Sequence, residues 1–149
     1  AGQPVAVDLW PKVHAYALRC FPKVGVTFAD VHVAIACAAI NDQGSLQRLI
    51  GDLQDRLAAA RLPAGEVVPL LVQGFALFAR GQWNDAIAQL EAALGQTVRI
   101  GGSRAQRDIV DHTLLAAYLK AGRSDDARRL VAGRIDRHPT VEVAGFAEH

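Results

Sequence analysis

Between Gly74 and Ala93 the small residues fall where two antiparallel helices must touch. Gly74 and Ala86 let two backbones approach, Gly81 ends the first helix, and Trp83, Leu90 and Ala93 are placed to fill the seam. A chain holding this segment must fold around a tight helical hairpin. No catalytic motif stands beside it, so the sequence says more about the scaffold than about its activity.

The segments on either side continue the helical pattern. Short amphipathic periodicity predicts a first helix at about 8–19, with Pro11 tolerated in its first turn and Pro22 and Gly25 closing it. A second helix, about 27–40, is Ala, Val, Ile and Cys on several sides and must be buried on more than one face. Asn41, Asp42 and Gly44 make the following turn. A third, about 45–60, carries Leu46, Leu49, Ile50, Leu53 and Leu57 as one stripe, with Arg48, Asp52, Asp55 and Arg56 opposite. The fourth and fifth, about 67–80 and 83–94, form the opening hairpin, with Pro69 in a first turn where its missing N–H matters little. The sixth, about 104–121, starts at a Ser103-x-x-Gln106 capping box and ends at Gly122; Ser124 is expected to cap a seventh reaching about 137. His138 and Pro139 stop it, and 140–149 reads as a loose tail.

Laying Gly122 on Gly81 places Tyr118 on Leu77, Ala127 on Ala86 and Val131 on Leu90. The paired alanines lie 41 residues apart, against about 34 in the tetratricopeptide repeat, which makes the linker around 96–102 an insertion. A third, weaker hairpin pairs the second and third helices about 41–44, with leucine in place of the alanine. The expected fold is all-α: a tetratricopeptide-like stack of helical hairpins, an α-solenoid of about seven helices. It forms a single domain over 1–139, with hairpins at about 27–60, 67–95 and 104–137.

Composition narrows the function. With 149 residues, 51% of them hydrophobic, the chain can bury a core of its own. Its 16 basic and 15 acidic residues are interspersed, which argues against nucleic acid as a partner. The apolar runs are broken before the roughly 20 residues that a membrane span needs, and no signal segment opens the chain. Ala1 with no methionine anywhere reads as a processing or truncation point. Cys20 and Cys37 form no Cys-x-x-Cys pair and nothing calls for a disulfide; Cys37 reads as a small buried hydrophobe, and a reducing, cytoplasmic setting is expected. No cofactor fingerprint occurs.

Two blocks carry a more specific likeness. Phe28-Ala29-Asp30-Val31-His32 is similar to a Phe-x-Asp-x-His block, and Gly101-Gly102-Ser103-Arg104-Ala105-Gln106-Arg107-Asp108 to a Gly-Gly-Ser-x-x-Gln-Arg-Asp block, of the tetratricopeptide repeat protein 38 family. Members of that family are several times longer, so the resemblance covers their C-terminal part. It implies an all-helical repeat protein and no established biochemical activity.

Candidate functional residues are few. Asp30 and His32 are two apart and diverge by about 200° on a helix, so they form no local pair. Asp30 reads as a first-turn carboxylate and His32 as a seam histidine, with ligand binding as the alternative role. Gly101-Gly102-Ser103 ahead of a helix bearing Arg104 and Arg107 resembles an anion-binding helix start, although the capping box explains Ser103 and Gln106 without a ligand. Asp108 and His112 share a helical face, but two ligands make no zinc site, and no metal is expected. Trp10, Tyr16, Phe21 and Phe28 either line a groove or dock the first helix as a cap.

Two functions follow. The first is a non-enzymatic interaction scaffold that binds a protein or peptide partner, or a second copy of itself, through Gln73, Arg80, Arg107, Asp111 and His112. The second is a polar pocket of His32, Arg107, Asp108 and His112 for a small anion or acid–base chemistry.

Overall fold

The computed structural model describes residues 7–137. These residues form seven α-helices and no strand: α1 (Trp10–Cys20), α2 (Thr27–Ala39), α3 (Gln43–Ala58), α4 (Val67–Ala79), α5 (Trp83–Leu94), α6 (Arg104–Lys120) and α7 (Ser124–Arg137). Single 3-10 turns, Val7–Leu9 and Thr97–Ile100, precede α1 and α6. His138, Pro139 and the expected tail lie outside the described residues.

Three connections share one geometry. The residue after each C-cap is left-handed: Asn41 at φ 57°, Gly81 at 74° and Gly122 at 73°. The next residue donates five positions back, from Asp42 N to Cys37 O at 2.9 Å, Gln82 N to Leu77 O at 3.0 Å and Arg123 N to Tyr118 O at 2.8 Å. These are Schellman closures. The residue that closes each helix also accepts the first bond of the next, from Leu46, Ala86 and Ala127 respectively. Hence α2–α3, α4–α5 and α6–α7 are hairpins of the same design, and asparagine serves where the other two use glycine.

The hairpin seams follow from side-chain size. Gly74, Leu90 and Ala93 are buried, and a Cβ on Gly74 would lie 2.7 Å from Leu90 Cδ2. Trp83 stays at the edge of its seam, edge-on to Phe78 at 5.1 Å and covered by the Lys120 ammonium at 5.2 Å. Helix α4 is central: it packs on α2, α3, α5 and α6, which accounts for its almost unbroken apolar sequence. Helix α2, in contact with α1, α3 and α4, is likewise buried on several sides. The core runs through all three hairpins, from Val31 and Leu46 through Leu71 and Ile87 to Leu114 and Ala127.

Local chemistry corrects two boundaries. Helix α3 begins at Gln43, because the Asp42 carboxylate accepts from Ser45 N–H at 3.0 Å and caps it; Gly44 lies inside the first turn. Ser124 is the first residue of α7 and not its cap, and Asp126 in that turn accepts from Arg123 Nε at 2.6 Å and from Arg129. The Ser103–Gln106 capping box forms in both directions, as the sequence indicated.

Candidate functional site

The Phe28–His32 and Gly101–Asp108 blocks of the sequence meet where α2 and α6 begin. Phe28 lies against Gly102, so closely that a Cβ on Gly102 would fall 2.3 Å from Phe28 Cε2. His32 stacks on Phe28 at 4.1 Å between ring centroids, and its Nδ1–H donates to the Phe28 carbonyl at 2.8 Å. The fold therefore brings His32 and Gly102 against the same aromatic ring.

Most polar groups here already have partners within the chain. Asp30 is 2% exposed and accepts from Gly25 N–H at 3.0 and 3.3 Å, tying down the loop before α2. Burial pushes its carboxyl above the usual range, against the pull of the Gly25 bonds and the nearby Arg56 guanidinium. Ser103 and Gln106 satisfy each other, and Arg107 Nη1 donates to the carbonyls of Gly101 and Gly102. The arginine thus stitches its own loop shut. His112, Arg104 and Arg80 are exposed, and Arg80 Nε returns to Ala76 O at 3.3 Å; Asp108, Asp111 and Gln73 are half-buried.

A second feature involves residues that, apart from Trp10, the sequence did not single out. Ile35, Ala38 and Ala39 from α2, Phe75, Phe78 and Ala79 from α4, and Ile109 and Thr113 from α6 line one groove of about 270 Å³, together with Trp10 of α1. Its lining is almost wholly apolar. Of the four aromatics around the first helix, Trp10 belongs to this groove and Phe28 packs on His32, while Tyr16 and Phe21 stay exposed at 58% and 43%.

No family model matches the chain, and no solved structure matches it either. The groove and the α2–α6 junction must therefore be read on their own chemistry.

Apart from Trp10, the groove residues come from the first helix of each hairpin, which also carries Gln73, Arg107, Asp111 and His112, with Arg80 at the C-cap of α4. The sequence reading named polar positions on these helices, and the groove is lined by apolar ones. The missed signal was the spacing of Phe75 and Phe78 with Ala79, more apolar side chain on one helix than its seam with α5 requires. Among the described residues, no helix is long and apolar enough to cross a membrane. Cys20 is exposed, Cys37 is buried, and both are free thiols.

Proposed function

We propose that this chain is a non-enzymatic, tetratricopeptide-like helical-repeat scaffold that holds a protein or peptide partner in the groove between α2, α4 and α6. The observation that carries the reading is the groove itself: three helices from successive hairpins present apolar side chains to one open channel. Its 270 Å³ falls below the roughly 300–1,000 Å³ usual for a whole small molecule. It suits one or two apolar anchors of a larger partner.

The repeat assignment has its own support. Each hairpin closes through the same turn, α2 touches α4 and α4 touches α6, and the second helices α3 and α5 pack on the first helix of the next hairpin. That is the neighbour pattern of a short α-solenoid. The relationship to the tetratricopeptide repeat protein 38 family rests on the two sequence blocks, and the cytoplasmic setting on cysteines without a pairing motif. Both belong to this proposal. The anion-pocket alternative, with His32, Arg107, Asp108 and His112, has less behind it, because the Arg107 guanidinium is engaged by two backbone carbonyls.

Ala39, exposed at the end of α2 on the groove edge, is the position to test. Selection from a displayed peptide library should enrich sequences with apolar anchors on the native protein. Ala39→Arg should abolish that enrichment at an unchanged thermal midpoint. Alanine at Gln73, Arg80 and Asp111 should weaken capture further if the rim contributes. Enrichment that survives Ala39→Arg, or none on the native protein, would sink the groove reading.

A further inference from the structure

Three residues from three helices meet beneath α1. His14 of α1, Cys37 of α2 and Asp42, the cap of α3, offer an imidazole nitrogen, a thiol sulfur and a carboxylate oxygen that all lie within 4.8 Å of one another. His14 Nε2 is 3.0 Å from Asp42 Oδ2, while Asp42 Oδ1 accepts from Ser45 N–H. Cys37 is fully buried, and the side chains of His14 and Asp42 are only 15% and 28% exposed.

We propose that His14, Cys37 and Asp42 form a zinc site that clamps α1 onto the first hairpin. A sulfur, a nitrogen and an oxygen donor together make a set that tetrahedral zinc accepts, and three protein ligands leave a fourth position for water or another donor. Zinc–ligand bonds of about 2.0–2.3 Å place ligand atoms about 3.3–3.5 Å apart in a tetrahedron. From the separations present, His14 and Asp42 would open by a few tenths of an ångström and the Cys37 sulfur would close in on them. Binding replaces the thiol proton of Cys37. The resulting thiolate and the Asp42 carboxylate balance the two charges of the ion, so the buried site is neutral.

Other roles for the trio fit less well. Cys37 has no exposed surface, so it is poorly placed to act as a nucleophile. Meanwhile α1 is held by little: none of its residues is fully buried, and its apolar contact with the core comes from the partly buried Ala17 and Leu18. A metal shared between α1, α2 and α3 supplies further attachment. Trp10 lies one turn before His14, so the same clamp positions that part of the groove lining. The site stands on its own geometry whether or not the groove holds a partner.

Cobalt(II) serves as the probe. Added to the reduced protein, it should bind one to one, with a thiolate-to-cobalt charge-transfer band and the intense visible bands of tetrahedral coordination, and zinc should displace it. Cys37→Ser and His14→Ala should each weaken binding by more than about 100-fold, whereas Cys20→Ser should leave it intact. Zinc should also raise the thermal midpoint of the native protein and not that of Cys37→Ser. Cys37→Ala provides a second thiol deletion, and helical circular dichroism verifies that each variant folds. Absence of a thiolate band at equimolar cobalt would overturn the proposal. So would a band that survives loss of Cys37 and disappears with Cys20, or one indifferent to His14.

Discussion

Gly74 on α4 presents a bare Cα to the side chain of Leu90 on α5: a Cβ there would come within 2.7 Å of Leu90 Cδ2 and 2.8 Å of its Cγ. Both residues are buried, so neither can swing into solvent. The central hairpin owes its close approach to this missing atom.

Gly74→Ala should therefore destabilise the fold by about 1–3 kcal/mol from overpacking, partly offset by the better helix propensity of alanine, worth about 1 kcal/mol. Leu90→Ala alone should cost about 2–5 kcal/mol through the cavity it leaves. The two together should cost less than their sum, because the alanine methyl fills part of that cavity. Urea denaturation of the four proteins measures the cycle. Additive costs would mean that the two side chains do not share the space.

The turn before α6 offers a matched pair. Gly101 and Gly102 both have positive φ, 77° and 75°, Gly101 with ψ −160°, but a Cβ on Gly101 would meet nothing within 4 Å, whereas one on Gly102 would strike Phe28. Gly101→Ala should show only the backbone penalty of a side chain at this φ and ψ, about 1–3 kcal/mol. Gly102→Ala should cost more, and it should displace Phe28 and with it the ring of His32, visible as larger shifts of the His32 resonances. Equal costs with unmoved His32 resonances would argue against the α2–α6 junction.

Alkaline pH should expose the link between α5 and α6. The Tyr118 hydroxyl donates to Glu91 Oε1 at 2.5 Å. Burial, then the bond and charge of Glu91, hold this phenol above its ordinary value near 10. From about pH 10 upward the unfolded chain releases this proton while the folded chain keeps it, so stability should fall as pH rises. Tyr118→Phe should flatten that decline and cost about 0.5–1.5 kcal/mol at neutral pH. Denaturation midpoints at pH 8 and 10.5 measure both effects; the same slope in the two proteins would refute the linkage.

What could be read from the sequence was what near neighbours decide. Gly81 and Gly122 mark helix ends because only a left-handed residue closes a Schellman turn cheaply, and Ser103 with Gln106 marks a helix start because the box closes over three residues. The same rule, applied to Asp42, would have placed the start of α3 correctly. Gly44 drew attention away from it, since a glycine near a turn need not be the residue that makes it. The solvent-facing stripe of α3 and the all-round apolarity of α2 and α4 likewise foretold how many neighbours each helix would have.

The candidate sites lay beyond that reach. Phe28 meets Gly102, and His14 meets Cys37 and Asp42, across helix contacts whose partners no local spacing specifies. The polar residues singled out on α6 were the right kind for a pocket, yet Arg107 turned back to its own loop, a choice made by backbone geometry. The sequence by itself determined seven helices, most of their ends and the three hairpin turns, since these are settled within a few residues of chain. Only the tertiary structure decided which faces meet, which apolar side chains remain facing a groove, and which distant donors converge, because those depend on how hairpins pack.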